Sequence, residues 1–329
     1  MLLDKNIKSY FGLLNKWKKD KKSLSGCPKF PAYKHKTKGR NIIIFTENQA
    51  RINNGVISFP KKSGLENITT KISGTIKQVR IIPQSGCYVI EVVYEKEQKV
   101  SNKNDNFLSI DLGVNNLATC ITNVNNDSFI INGRELKSIN QYYNKKKANI
   151  QSQLEKNHNR KWSNRLTRLN NKHNNKINDY LHKCSRIVVD YCVKNDISNV
   201  IVGKNVGWKQ NINIGKKNNQ NFVQIPHAKL IYMIRYKLED YGILLKENEE
   251  SYTSKCSALD LEDLKKQDSY LGRRVKRGLF ISSEGVKINA DVNGAINILR
   301  KVSPNKGQEI VQTLRCRGQV VWPAKINIC

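Results

Sequence analysis

Apolar and polar residues alternate along this chain in two distinct rhythms. In residues 5–22 the apolar positions Tyr10, Leu13, Leu14 and Trp17 fall on one face with lysines opposite, which predicts a short amphipathic helix. Pro28 and Pro31 rule out its continuation, so 26–40 reads as a basic loop. From 41 to 98 the pattern changes to short apolar runs: NIIIF (41–45), RINNGVISF (51–59), TIKQVRIIP (75–83) and CYVIEVVYE (87–95). Turn signals at Asn53-Asn54-Gly55 and Gln84-Ser85-Gly86 separate them, predicting a small antiparallel barrel or sheet.

After a polar linker, SNKNDN (101–106), the pattern changes again. FLSIDLG, NNLATCITN and SFIINGR read as three strands from Phe107. A helical stretch follows over 135–194, with apolar or aromatic positions 150, 154, 162, 166, 169, 177 and 181, and is read as a hairpin broken at Asn170-Asn171. NVIVGKN (199–205) is a fourth strand. Pro226 opens a helix over 227–241 with Leu230, Ile234 and Leu238 as its buried stripe. GILLKENEE (242–250) is a fifth strand, and a last helix starts near 290. Three strands, then helix, strand, helix, strand, helix, is an α/β order of the RNase-H-like kind. The expected organisation is 1–40 helix and basic loop, 41–100 β domain, 101–302 α/β domain with the helical insertion 135–194 and a basic loop 256–288, and a tail over 303–329.

Charge narrows the partner. Lys and Arg number 58 against 27 Asp and Glu, a net charge of +31. Repulsion on that scale calls for a polyanion, and nucleic acid bound in a salt-dependent way is the expectation. Between 144 and 183 there are eleven Lys and Arg, and the only acids are Glu155 and Asp179. Phe30 and Tyr33 interleave with Lys29, Lys34, Lys36, Lys38 and Arg40, which suits base stacking with phosphate contact; a small core would use the aromatics equally well. The eight cysteines form no CxxC pair and read as scattered thiols of a reducing compartment. No apolar signal segment and no 18-residue apolar stretch occurs, so an intracellular protein without a membrane is expected.

Acidic residues in so basic a chain stand out. Asp111 ends an apolar strand, where a carboxylate is poorly solvated unless it is paired or metal-bound. Asp291 opens the last helix, either as a cap or as a ligand. Carboxylates from different elements converging on Mg²⁺ or Mn²⁺ are the arrangement of phosphodiester hydrolysis. A third acid would come from Glu250, with Glu249 as its alternate, since neighbours on a strand face opposite ways.

DLGVNNLAT, GWKQ…NNQNF, ESYTSK and NADVNGAINILRK resemble the TnpB/OrfB family of transposon-encoded proteins, which is similar to Fanzor proteins and type V CRISPR effectors. The resemblance implies an RNA-guided DNA endonuclease with a RuvC nuclease domain after a wedge-like barrel, with guide RNA and target DNA as partners. It places the catalytic, metal-binding acids at Asp111, Glu250 and Asp291. Nucleic-acid contacts are expected at Lys29, Tyr33, Lys34, Arg40, Trp208, Lys209, Gln210, Asn219, Gln220 and Lys255. Two departures matter. The family's usual acid after the fourth strand is replaced by Gly203, which no metal can use, so the acid is expected to have moved to Glu250. Cys256 stands alone, with Ile281 and Glu284 where further cysteines would sit, so no zinc is expected. Arg273, Arg274, Lys276 and Arg277 would instead form a basic loop bracing single-stranded DNA. The chain starts near SYFGLLNKWKK, where the family's recognition lobe would precede it. A homodimer, a second subunit or the RNA would then supply that lobe. The resemblance also leaves open a binder that no longer cuts, or a transposition accessory protein. It places the protein at the nucleoid of a prokaryote, or in a nucleus if the source is eukaryotic or viral.

Overall fold

The computed structural model describes residues 2–33, 41–72, 74–84, 86–97, 99–100, 104–205, 224–316 and 322–328. The chain divides into two compact units, Met1–Lys96 and Glu97–Cys329.

The first unit begins with helix α1 (Leu2–Lys19) and a 3-10 turn, Lys21–Ser23, whose Asp20 cap accepts from Lys22 N at 2.9 Å. Two three-stranded antiparallel sheets follow rather than one closed barrel. Strands β1 (Ile43–Thr46), β5 (Thr75–Gln84) and β6 (Cys87–Glu95) pair in the order β1-β5-β6. Strands β2 (Arg51–Asn53), β3 (Val56–Ser58) and β4 (Ile68–Thr69) form the other sheet. The short strands of the second sheet leave open edges, because two or three residues cannot wrap a barrel. On β5 a bulge between Ile76 and Gln78 shifts the alternation, so Ile76, Val79 and Ile81 all reach the core beside Phe45 and Ile57.

The second unit is a mixed α/β fold. Its sheet runs β11-β10-β7-β8-β9-β15, from β7 (Phe107–Leu112), β8 (Asn116–Thr122), β9 (Ser128–Asn132), β10 (Asn199–Gly203), β11 (Leu244–Asn248) and β15 (Ala324–Ile326). β7, β8 and β9 pair antiparallel, whereas β10 joins β7, β11 joins β10 and β15 joins β9 in parallel. Helices α2 (Arg134–His158), α3 (Asn164–Lys194) and α4 (His227–Glu239) supply buried residues to the core that takes Leu108, Ile110, Val200 and Val202 from the sheet. The opposite face, through Ile121 and Ile201, packs on α5 (Ala290–Val302) and α6 (Pro304–Cys316).

Three expectations are corrected here. The hairpin breaks at Asn159–Ser163, not at Asn170-Asn171. Asn159 takes the left-handed conformation that ends α2, and Ser163 Oγ accepts from Leu166 N at 3.2 Å to start α3. The helical cost of the asparagine pair is offset by tertiary contact, since Tyr143 Oη donates to Asn170 Oδ1 at 2.7 Å. Residues 303–329 are no tail: α6 buries Ile310, Val311 and Leu314, and β15 extends the sheet. The basic loop 256–288 contains a three-stranded antiparallel sheet of β12 (Arg273–Lys276), β13 (Leu279–Ile281) and β14 (Lys287–Ile288), anchored by buried Phe280 and Ile288.

Candidate active site

Strand alternation decides what faces α5. With Leu108, Ile110 and Leu112 in the core beneath α3 and α4, Ser109 and Asp111 must point to the other face. The same parity on β10 buries Val200 and Val202 on one side and turns Ile201 and Gly203 to the other. Helix α5 lies on that face with Asp291, Gly294, Ala295 and Ile298 at helical spacing. Ser109 Oγ donates to Ala295 O at 2.7 Å. A Cβ on Gly294 would stand 2.8 Å from Asp111 Oδ2, so glycine there lets the helix close over the aspartate. The cap of α5 is Asn289, whose Oδ1 accepts from Asp291 N and Val292 N at 3.0 and 3.3 Å. The Asp291 carboxylate is thereby released from capping.

Glu250 reaches the same face from another direction. β11 ends at Asn248, so strand alternation does not choose between Glu249 and Glu250. Hydrogen bonding does. Asn205, two residues beyond β10, accepts from Glu250 N at 3.2 Å and donates through Nδ2 to Glu250 Oε1 at 3.3 Å. The Glu250 Oε2 then lies 2.8 Å from where a Gly203 Cβ would be. Glu249 is exposed, with its carboxylate 3.9 Å from Lys301 Nζ.

Asp111 senses the other two acids. Burial pushes the Asp111 carboxyl well above the usual carboxylate range, the charges of Asp291 and Glu250 push it further, and Arg274 opposes them. Burial also raises Glu250, against the pull of Lys301. As a donor set, three carboxylates match a hard divalent cation. The spacing does not: among the described residues no group of three His, Cys, Asp or Glu stands close enough to hold a metal ion. Asp291 is instead engaged by protein, with Asn116 Nδ2 donating to Oδ2 at 2.6 Å and Arg274 Nη2 to Oδ1 at 3.3 Å.

A cleft of about 510 Å³ opens beside this cluster, lined by Asn115, Asn116, Arg134, Arg274, Arg277 and Asp291 among others. Of the expected basic residues, Arg274 and Arg277 therefore come to the acids, on β12 and the turn after it. Arg273, Lys276 and Lys255 are exposed, Lys255 with its ammonium 5.9 Å from the Tyr270 ring centre. Lys29 and Tyr33 are exposed in the first unit, and Phe30 meets Tyr10 edge-on at 5.1 Å. Lys34, Arg40, Trp208, Lys209, Gln210, Asn219 and Gln220 lie outside the described residues.

Several partners were not foreseen. Asn293 Oδ1 accepts from Ala258 N at 2.8 Å, and Asn297 Nδ2 donates to Thr253 O and Cys256 O at 2.9 and 2.8 Å. Arg300 donates to Asn297 Oδ1 and to Glu262 O, while buried Glu262 accepts from Ser257 N and Leu271 N. This lattice staples the segment after Glu250 to α5. The buried Cys256 thiol donates to Asp263 O at 3.3 Å. His227 Nε2–H donates to Gly113 O at 2.9 Å, fixing the chain just past Asp111. The period-four run Asn289, Asn293, Asn297 at the cap and along the buried face of α5 is the available signal.

Known proteins match along this same frame. Residues 90–209 match the OrfB_IS605 family, described as probable transposase, and residues 227–298 match the Cas12f1-like TNB domain. The TnpB-like protein ORF457 of Acidianus two-tailed virus is 26% identical over 273 residues, 80% of this chain and 52% of the relative. The chain thus spans about half the length of that relative. A Cas12f1–sgRNA–target DNA complex aligns at 18% identity and TM-score 0.41, covering 86% of this chain and 74% of the other. A CRISPR–Cas12f ternary complex aligns at 20% and 0.43, covering 69% and 46%. Two family segments, in sequence on the sheet and its closing helix, and a TnpB-like relative along most of the chain thus make this protein similar to the probable transposases, the Cas12f1-like TNB domain and the TnpB-like proteins.

Proposed function

We propose that this protein is an RNA-guided DNA-binding member of its family whose acidic centre is latent. The observation that carries this reading is the Asp291 carboxylate, engaged on both oxygens by Asn116 and Arg274. Guide RNA and target DNA as partners follow from the resemblance of the sequence motifs, and the +31 charge and the arginine-lined cleft suit a polyanion. Arg274 neutralises Asp291 at rest, and a phosphate entering the cleft competes for the same guanidinium.

A second reading, a Mg²⁺- or Mn²⁺-dependent DNA endonuclease, is favoured by a specific observation: Glu250 fills the space of the side chain that Gly203 lacks. Asp111, Glu250 and Asp291 would then hold the ion after Arg274 swings away. A divalent ion supplies water activation and charge neutralisation at the phosphodiester.

One assay separates the two. The protein is purified with its RNA, the RNA is sequenced, and a matching duplex with randomised flanks is supplied in Mg²⁺. RNA-directed binding, retained in Asp111→Ala, with little or no cut product is the expected result. Absence of RNA-directed binding overturns the proposal. Rapid cutting that Asp111→Ala abolishes replaces it with the second reading.

A further inference from the structure

Away from the acids, the hairpin of α2 and α3 holds a separate cavity of about 220 Å³. Its walls include Tyr142 and Tyr143 from α2 and Leu169, Lys172, His173 and Lys176 from α3. One wall is preset. Tyr143 stacks on His173 with ring centres 4.0 Å apart and planes 19° from parallel. Its hydroxyl donates to Asn170 Oδ1, and His173 Nε2 is 2.8 Å from Asn140 Oδ1. The other wall is open: Tyr142 is 63% exposed, with the Lys146 ammonium 5.7 Å from its ring centre.

A packing gap between two helices would be closed by aliphatic side chains and would need no charge. This cavity has an exposed aromatic at its mouth, lysines on its rim and, among the described residues, no lining carboxylate. The surrounding helices add to the field, since of the acids between 144 and 183 Asp179 is paired with Lys183 at 3.1 Å. The volume falls below the roughly 300–1,000 Å³ of sites that enclose a drug-sized ligand and is on the scale of one planar base.

We propose that this cavity is a stacking niche for one unpaired nucleobase of single-stranded RNA. Tyr142 offers its ring face, and Lys146, Lys172 and Lys176 meet the flanking phosphates. Every base has a π face, so such a niche tolerates sequence, and RNA loops splay bases out where a duplex keeps them stacked. The inference deepens the RNA partnership proposed above and rests on it.

The test uses the full chain, a fluorescent oligoadenylate RNA, the matching oligodeoxyadenylate and a blunt duplex RNA, with binding read by anisotropy at one salt concentration. Tyr142→Ala should weaken oligoadenylate binding about tenfold or more, the loss of one base–aromatic stack. Tyr142→Phe should retain it, and duplex affinity should not move. Tyr142 is exposed, so an unchanged melting curve for both variants is expected. Equal losses on single strand and duplex, or a loss confined to DNA, overturn the niche. If the parent binds both RNAs and Tyr142→Ala matches it, the niche alone falls. If the parent binds neither, the RNA-guided reading falls with it.

Discussion

Gly203 and Glu250 compete for one space: a Cβ on Gly203 would lie 2.8 Å from Glu250 Oε2 and 2.5 Å from Ile298 Cδ1. A side chain at 203 must therefore displace the glutamate or shift the helix. Gly203→Ala should cost about 1–3 kcal/mol of stability by overpacking. In an Glu250→Gly background the same substitution should cost less, with a coupling of at least about 0.5 kcal/mol between the two positions. Chemical denaturation of the four proteins measures it. Strict additivity would show that Glu250 does not occupy that space in solution.

The clustered acids make a second prediction, on charge. Asp111 is disfavoured as a carboxylate by burial and by Asp291 and Glu250. Asp111→Asn keeps the shape and removes the repulsion, so it should melt higher than the parent in EDTA. Millimolar Mg²⁺ should leave that gap largely open if Arg274 keeps Asp291 from a shared ion. A gap that closes in Mg²⁺ would show the three acids gathering on one cation and would favour the endonuclease reading. Differential scanning fluorimetry in the two buffers decides.

Much of this frame was legible in the sequence, for a definite reason. Strand order follows from apolar patterning, so Asp111 at the end of its strand and Asp291 at the start of the last helix stand out as a pair, whereas Gly203 enters only through the resemblance. Glu250 was chosen through a resemblance and an argument from strand alternation, but β11 stops short of it and Asn205 is what orients it. The Asn116 contact with Asp291 and the carbonyl partners of Asn297 leave no sequence signal, because residues separated by tens to hundreds of positions share no local period; only the asparagine spacing on α5 is visible. The hairpin break was misplaced because helix propensity at Asn170-Asn171 is weak against the contact Tyr143 makes there. The sequence leaves a barrel and a sheet open, because runs of two or three residues read alike whether a sheet closes or not.

The lattice on α5 yields a third prediction. Asn297 is fully buried and donates to two carbonyls, Thr253 O and Cys256 O, while Thr253 N and Oγ1 donate to Glu250 O at 3.2 and 2.8 Å. Asn297→Ala takes the donor from Thr253 O, while Cys256 O keeps Asn293 Nδ2 and Arg300 keeps Glu262 O, so the cost is about 1–3 kcal/mol for one unsatisfied carbonyl. Loosening should be local, at 250–257. Hydrogen exchange should show Thr253 and Cys256 amides opening faster while the amides of β7 and β10 hold their protection. Uniform loss across the sheet would mean that Asn297 serves the whole core and not the glutamate segment.

Two histidines on α3 give the pH dependence of folding. Burial lowers His173, and burial together with the charges of Lys237 and Lys229 lowers His182, against the opposing charge of Asp179. An unfolded histidine titrates near 6.5, so below that pH the unfolded chain takes up protons that the folded chain refuses. The stability these groups contribute is complete above about pH 6.5 and is lost as the pH falls through their lowered folded values. Asp260 loses its contribution only in more acidic solution. Burial alone would raise it, but hydrogen bonds from Ser257 and Ser283 and the Arg315 charge hold it below the ordinary carboxylate value, itself about 3.9. The histidines should therefore lower the denaturation midpoint between pH 7.5 and 5.5, against the opposite contribution of Asp111 and Glu250, whose raised carboxyls take up protons in the folded chain. His182 is exposed enough for His182→Gln to be tolerated, and that substitution should flatten part of the slope. A slope unchanged in His182→Gln would place the proton uptake elsewhere.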